Sequence, residues 1–280
     1  MKKKVSSLLC VVFLAGILAT AVVYNLSKPR VLIAVDDFAQ SLAGKYFVND
    51  PEMDIVFAGV NGSIEPYGYE GAENVTGIFE RKQLNAVKET ILAFESKKTH
   101  PKADPSLLYI LETSSSLQKG RSVIDQYDWD PIHYKGSVMA DHFEDWKEIV
   151  KGNGSRVDYF IVANYRRLPV SEDNPNYADP KAVMAWTEKN ALPPVIGINA
   201  FNVEDGAMIS IGVSPFEQGE VAAKMAQTIL EQDIRAGTIP IQSNSQYIVA
   251  IRKAFLKARN MELPAIYEAF GRATANFYEE

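Results

Sequence analysis

The chain of 280 residues contains a single cysteine, Cys10, and only three histidines. Because Cys10 lies near the N-terminus, the remainder of the chain has no disulfide framework, no thiolate nucleophile and no cysteine metal site. The protein must therefore fold on its hydrophobic core alone. With 47% apolar residues, the chain is long enough for one large core or two smaller ones.

Sequence patterns of common catalytic sites are also missing. There is no Gly-x-Ser-x-Gly elbow and no glycine-rich phosphate-binding loop. His142 lies close to Asp141, Glu144 and Asp145, a grouping that resembles a metal site. Acidic residues are also typical of a first helical turn, where they complement the helix dipole, and we favour a helix start here. We therefore predict no catalytic residue, no metal and no cofactor.

The N-terminus has the pattern of an export signal. Lys2, Lys3 and Lys4 precede an apolar run from Leu8 to Tyr24. The 17 residues of this run are near the lower limit for spanning a bilayer, so residues 1–24 could be a cleaved signal peptide or a retained membrane anchor. We favour cleavage, and we interpret Cys10 as a bystander because most of the run follows it. The sequence predicts an exported, periplasmic or extracytoplasmic protein.

The charge balance argues against a nucleic-acid partner. Acidic residues outnumber basic ones by 35 to 29, and without the three N-terminal lysines the net charge changes from −6 to −9. A negative surface repels phosphate backbones.

Beyond the N-terminal run, apolar stretches of strand length alternate with segments of helical periodicity. Leu107–Leu111 and Tyr159–Ala163 are typical of buried strands, whereas the apolar residues between 81 and 94 recur at helical spacing. This alternation predicts an α/β fold with mostly parallel sheets. The segment 96–105 interrupts the pattern with lysines and prolines, which could mark a crossing between two lobes or a surface loop. We predict a partial N-terminal lobe over 29–100, to which the C-terminal helices could return, and a C-terminal lobe over 101–280.

Polar residues follow each of the strong strands. In parallel sheets the loops at the carboxyl ends of the strands converge on a crevice, which is where a ligand is expected. Hydroxyls at a helix start can hold a carboxylate or act only as a helix cap, and the Asn and Asp residues could bind a ligand or form turns. Aromatic residues could clasp a ligand or pack in the core. The candidate ligand-binding residues are Asp36, Asp37, Asn61, Thr113, Ser114, Ser115, Asn164, Tyr165, Asn199, Phe201 and Asp205.

Several segments together resemble the substrate-binding proteins of ABC transporters that carry amino acids and related solutes. Asp54–Gly62, which indicates a buried strand followed by a loop, contains Phe-Ala-Gly-Val-Asn, and Asn74–Phe79 contains Asn-Val-Thr-Gly. Further similar segments are Leu107–Leu111 before Thr113-Ser114-Ser115, Pro194–Ile198, and Gly206–Gly212 before Gly219 and an Ala-rich helix. The resemblance extends from about Pro29 to the end of the chain.

The resemblance implies a type I periplasmic-binding architecture with two Rossmann-like lobes and a ligand cleft between them. It also implies that residues 113–115 help bind the polar end of a small ligand, and that a membrane permease is the partner. The family usually has a further strand-helix-strand-helix portion before Val31, so we expect an incomplete N-terminal lobe. A shortened chain start, a degenerate copy without ligand binding, or a covering partner would each explain this.

Two further functions stay open at this point. The same fold could serve a membrane-anchored sensor or interaction protein, and an exported hydrolase is a weaker alternative. Ligand identity and oligomeric state do not follow from the sequence.

Overall fold

The computed structural model describes residues 10–11, 28–113 and 115–280, with side chains described except at 10–11 and 115–119. The chain forms two units. The smaller comprises the residues through Arg81 together with Ser214–Gln246, and the larger comprises Lys82–Val213 together with Tyr247–Glu280.

The smaller unit contains a five-stranded sheet in which all neighbouring strands are parallel. The helices described in it are Asp36–Leu42 and Pro215–Gln232, with 3-10 turns at Gly44–Phe47, Glu65–Tyr67 and Ala236–Thr238. Its strands, in spatial order, are β1 (Cys10–Val11), β2 (Val31–Val35), β3 (Asp54–Val60), β4 (Val75–Phe79) and β12 (Gln242–Ser243).

The larger unit contains a seven-stranded sheet in which only β11 and β13 pair antiparallel. In spatial order its strands are β14 (Phe277–Tyr278), β13 (Tyr247–Arg252), β11 (Ile209–Val213), β10 (Val195–Gly197), β7 (Tyr159–Val162), β5 (Ser106–Glu112) and β6 (His133–Ala140). A separate hairpin comprises β8 (Pro169–Ser171) and β9 (Asn174–Tyr177). The helices are Leu84–Lys97, Ser115–Asp125, Phe143–Asn153, Pro180–Asn190, Phe201–Glu204, Lys253–Ala258 and Ala265–Ala273.

The central strands of the larger unit are buried on both faces. Side chains of a strand alternate between faces, so Leu107, Tyr109 and Leu111 of β5 join one hydrophobic cluster. Leu108 and Ile110 join the cluster on the opposite face. Burial on both faces explains why β5 and β7 appear in the sequence as continuous apolar runs.

The predicted α/β class with mostly parallel sheets is confirmed, but the chain divides between the units differently from the predicted boundaries. The chain passes between units at Arg81/Lys82, Val213/Ser214 and Gln246/Tyr247 rather than within 96–105. The helix that returns to the first unit is Pro215–Gln232, because Ala222, Met225 and Ile229 pack against its sheet. The two C-terminal helices stay with the larger unit.

Two side chains of the smaller unit bind backbone next to these crossings. The Asn244 amide accepts from the Arg81 backbone N–H at 2.6 Å and donates to the Arg81 carbonyl at 3.2 Å. The Glu217 carboxylate accepts from the backbone N–H groups of Ser245 and Gln246 and from the Ser245 hydroxyl, each at 2.9 Å. These bonds fix the segments on the smaller-unit side of the crossings.

The predicted apolar run Leu8–Tyr24 lies outside the described residues except for Cys10 and Val11. These two residues pair in parallel with Leu32 and Ile33, so the edge of β2 is paired at these positions. Within the described ranges, no helix has the length and hydrophobicity that crossing a membrane would require.

A buried carboxylate forms several bonds at the start of strand β3 in the smaller sheet. Asp54 is fully buried at the start of β3 and forms an ion pair with Arg30. Its other oxygen accepts from the Ala236 backbone N–H at 2.9 Å and lies 3.4 Å from Nε of Arg235. One side chain therefore joins β2, β3 and the turn after the long helix Pro215–Gln232.

We expect Asp54→Ala to lower the free energy of unfolding by about 2–4 kcal/mol, because it leaves a buried N–H and two guanidinium groups without their shared acceptor. Asp233→Asn is the matched control, since Asp233 is 95% exposed in its side chain and lies 3.8 Å from Arg30. Urea unfolding measures both variants. Equal stability of the two variants would contradict this role of Asp54.

Candidate functional site

The larger unit contains a cavity of about 330 Å³ where β5 and β6 end. This volume is at the lower end of the range of roughly 300–1,000 Å³ for small-molecule pockets. Carboxyl ends of parallel strands are the usual position of ligands in open α/β sheets. The lining residues are Glu112, Thr113, Asp141, Arg167, Pro169 and Tyr177.

Glu112 and Thr113 line the cavity from the end of β5. Glu112 is 2% exposed, and its Oε2 accepts from the Arg167 backbone N–H at 2.8 Å. The Thr113 backbone N–H and hydroxyl both donate to the Ala140 carbonyl, each at 3.1 Å. Because the hydroxyl proton is used in this way, Thr113 can offer a ligand its oxygen lone pairs.

Asp141 lines the cavity from the end of β6, where a helix cap fixes its backbone. His142 is the N-cap of the helix Phe143–Asn153, and its Nδ1 accepts from the Asp145 backbone N–H at 3.4 Å. The Asp145 carboxylate accepts in return from the backbone N–H groups of Asp141 and His142, at 3.1 and 3.2 Å. The predicted helix start at these residues is confirmed, and the described residues form no group that could hold a metal ion.

The hairpin β8–β9 contributes the remaining lining residues. Leu168 is fully buried, which places Arg167 and Pro169 on either side of an anchored residue. The Ala178 backbone N–H closes the base of the hairpin by donating to the Leu168 carbonyl at 2.9 Å. Pro169 pairs with Tyr177, whose side chain is 64% exposed. These contacts therefore fix the Arg167 backbone beside the cavity.

A second polar group in the larger unit is centred on Asp205, which is 6% exposed. Arg166 binds it through two bonds, from Nε at 3.1 Å and from Nη2 at 2.9 Å. The Tyr165 hydroxyl donates to the same carboxylate at 3.0 Å, and the Arg166 guanidinium lies 4.0 Å from the centre of the Phe201 ring. This bidentate pair leaves the side chain of Arg166 41% exposed.

Tyr165 itself belongs to the core. Its side chain is fully buried and packs edge-on against Trp146, at 5.8 Å, and Phe201, at 6.3 Å, between ring centres. Burial raises the pKa of Tyr165 well above its ordinary value, so its hydroxyl stays protonated and donates to Asp205. Of the two roles predicted for Tyr165, ligand contact and core packing, its buried position fits core packing.

Asn199 and Asn164 occupy turns after β10 and β7. The Asn199 side-chain oxygen accepts from Lys82 Nζ at 2.6 Å. Asn202 fixes the turn by accepting from the Asn199 backbone N–H at 2.8 Å. This position of Asn202 requires Gly197, since a Cβ there would lie 2.5 Å from the Asn202 Cβ. The Asn164 side-chain oxygen accepts from the Arg166 backbone N–H at 2.9 Å, a turn of the expected kind.

In the smaller unit, the residues after β2 and β3 are joined by hydrogen bonds. Asp37 accepts from the Tyr67 hydroxyl at 2.7 Å and from the Asn61 backbone N–H at 2.9 Å. Asp36 begins its helix at a φ of +74° and accepts from the Phe38 backbone N–H at 3.2 Å. Burial, with the bond to Asp37 next, raises the pKa of Tyr67.

Arg81 stabilises the same loop. Its guanidinium donates to the carbonyls of Val60 and Asn61 at 3.0 Å and to that of Gly62 at 3.3 Å. The Phe-Ala-Gly-Val-Asn segment thus forms a rigid strand end, in which Gly59 has a φ of +68° at a β-bulge.

The predicted residues therefore fall into three groups. The first group is Thr113, which lines the cavity. The second group surrounds Arg166 and comprises Asn164, Tyr165, Phe201 and Asp205, with Asn199 nearby in the chain. The third group lies in the smaller unit and comprises Asp36, Asp37 and Asn61. Ser114 lies outside the described residues, and Ser115 is described only as the first residue of its helix. The candidate list did not include the other five lining residues, which are Glu112, Asp141, Arg167, Pro169 and Tyr177. The polar turn Glu172-Asp173 between short extended segments is a hairpin signal that could have indicated the last three.

No protein-family model and no curated protein matches the sequence. Solved structures that are similar in fold at low identity include the following three. A conserved domain protein from Vibrio cholerae O1 biovar El Tor has a TM-score of 0.61 and 17% identity over 90% of this chain and 81% of its own. A ligand-free, open substrate-binding protein with adhesive properties from Clostridium difficile has a TM-score of 0.66 and 17% identity over 89% of this chain and 81% of its own.

The third is an ABC domain in complex with L-Trp from Streptococcus pneumonia, with a TM-score of 0.61 and 13% identity over 90% of this chain and 82% of its own. These similarities confirm the type I periplasmic-binding-like α/β fold. At such identities they extend to the fold alone.

We expect Tyr165→Phe to destabilise the larger unit by about 1–2 kcal/mol, because it removes a buried hydroxyl that donates to Asp205 and accepts from Asn202 at 3.3 Å. Tyr177→Phe removes the same atom from an exposed ring and should change stability by less than about 0.5 kcal/mol. Denaturant unfolding monitored by near-UV circular dichroism measures both. A larger loss in Tyr177→Phe than in Tyr165→Phe would contradict this assignment.

Proposed function

We propose that this chain is an exported solute-binding protein of an ABC importer, which captures a small polar metabolite, such as an amino acid or a related compound, and releases it unchanged. The observation that carries the proposal is the cavity at the ends of β5 and β6, lined by carboxylate, guanidinium and hydroxyl groups. Two of the similar structures are described as a substrate-binding protein and as an L-Trp complex, which supports the same function.

The chemistry of the strand ends suits reversible binding. Hydrogen bonds to charged groups are strong enough to orient a polar solute, and none of them requires a covalent step. In this proposal Thr113, Ser114 and Ser115 receive the polar end of the solute, and Asn199 offers both donor and acceptor atoms. Tyr165 and Asp205 act indirectly, because they hold Arg166 over the ring of Phe201.

The smaller unit would complete capture and delivery. Asp36, Asp37 and Asn61 are the proposed contacts from its strand ends. Three chain crossings link the units, which suits closure by a hinge movement around a bound solute. A membrane permease is the proposed partner that receives the solute from the closed form.

We expect a thermal-shift screen of the full chain against amino acids, small peptides and sugars to identify a stabilising solute. A solute at 100 times its Kd stabilises a folded protein by about 2.7 kcal/mol, since it binds only the folded state. Calorimetry should then give a one-to-one stoichiometry, and mass spectrometry should recover the solute chemically unchanged.

Asn199→Ala should weaken this response at least about fivefold in Kd, because a neutral hydrogen bond contributes about 1 kcal/mol. Asn190→Ala is the matched control, since Asn190 ends a helix and its amide donates to the Trp186 carbonyl at 2.7 Å. If no solute stabilises the chain, or if a bound compound is converted, the proposed function is wrong.

A further inference from the structure

Two side chains of opposite charge line the cavity from different elements. Asp141 follows β6, and Arg167 precedes β8. Within the described ranges, neither the Asp141 carboxylate nor the Arg167 guanidinium has a hydrogen bond or an ion pair. Arg166, by contrast, is bound to Asp205 through two bonds. The cavity therefore offers a cationic group and an anionic group that the fold does not pair with each other.

The backbones of both residues are fixed. The Asp141 backbone N–H donates to the Asp145 carboxylate at 3.1 Å. The Arg167 backbone N–H donates to the Glu112 carboxylate at 2.8 Å, and the next residue, Leu168, is fully buried. Binding costs less conformational entropy when the site is ordered in advance. The two groups are thus positioned beside the cavity before a solute enters.

The charges of a solute determine how well it suits both groups. A solute with only a carboxylate would be attracted by Arg167 and repelled by Asp141, and a solute with only an ammonium group would experience the reverse. A solute with both groups can be attracted by both residues. Arg167 suits the carboxylate, since its planar guanidinium can bind both oxygens at once. The Asp141 carboxylate can accept ammonium protons.

The neutral lining residues limit the rest of the solute. Pro169 and Tyr177 pair across the base of the hairpin, and their rings offer apolar surface at the cavity. The volume of about 330 Å³ is small among ligand pockets. These features suit a short solute with a small apolar part, rather than a peptide or an oligosaccharide.

We propose that Asp141 and Arg167 together select a small zwitterionic solute, whose ammonium group binds Asp141 and whose carboxylate binds Arg167. The inference rests on the proposed function and adds two specificity-determining residues that the candidate list did not include. Glu112 acts on the protein side of this arrangement, because its bond to the Arg167 backbone N–H holds that residue beside the cavity.

Calorimetry on the full chain with three matched series of probes tests this proposal. The series are the common L-amino acids, their carboxamides, which lack the carboxylate charge, and the corresponding carboxylic acids without the amino group. For the amino acid that binds most tightly, we expect each of its two analogues to bind about tenfold to hundredfold more weakly, the range for one charged hydrogen bond.

Two variants assign the ends of the solute. Arg167→Gln should abolish the preference for the amino acid over its carboxamide and keep the preference over the acid without the amino group, because only the carboxylate loses its partner. Asp141→Asn should have the reverse effect. Both side chains are exposed and have no bond to lose among the described residues, so folding should be unchanged. Arg156→Gln and Asp173→Asn, at exposed positions outside the cavity lining, are the matched controls.

The outcomes separate this proposal from the function on which it rests. A sugar, a peptide or a singly charged compound that binds more tightly than every amino acid would overturn the inference and leave the solute-binding function intact. An amino acid whose preference over both analogues is unchanged in Arg167→Gln and in Asp141→Asn would also overturn it. Absence of binding by any solute would refute both.

Discussion

In the larger unit, the middle strands of the sheet are covered on both faces, and this burial determines where polar groups can lie. Tyr159 and Ile161 of β7 belong to one hydrophobic cluster, and Phe160 and Val162 belong to the other. An unpaired polar side chain in these positions would cost several kcal/mol. Polar and charged groups are therefore concentrated where the strands end, and those ends contain the cavity and the Arg166 group.

The same constraint explains why buried charges in this chain are held by several bonds. Glu188 is buried beside Arg259, which donates to its carboxylate at 3.0 Å, and it also accepts from the Met208 backbone N–H at 2.7 Å. Burial still raises the pKa of Glu188, which indicates that desolvation outweighs these partners. Because Arg259 is the C-cap of the helix Lys253–Ala258 and Glu188 lies in Pro180–Asn190, this pair attaches the one helix to the other.

The sequence predicted the elements whose burial is complete. Leu107–Leu111 was recognisable as a strand because both faces of β5 are apolar. The helix near 81–94 was recognisable because one of its faces is apolar. Strand β4 was harder to recognise because it contains a threonine and a glycine whose contacts are with distant residues: the Thr76 hydroxyl donates to the Ile239 carbonyl at 2.9 Å, and Gly77 leaves room for Phe57. No local pattern indicates which sheet the helix Pro215–Gln232 covers. The return of Ser214–Gln246 to the smaller unit was missing from the predicted boundaries for this reason.

Arg166 and Arg167 show why the candidate site was only partly predictable. They are adjacent in the sequence and chemically identical, yet Arg166 pairs with the buried Asp205 whereas Arg167 lines the cavity. The next residue, Leu168, is fully buried, so the chain is anchored just after the two arginines. An arginine that forms an ion pair with a carboxylate contributes little net charge to its surroundings. An arginine without such a pair retains its attraction for an anion. The electrostatic character of this strand end therefore depends on the partner of each arginine, which the sequence of the two residues does not reveal.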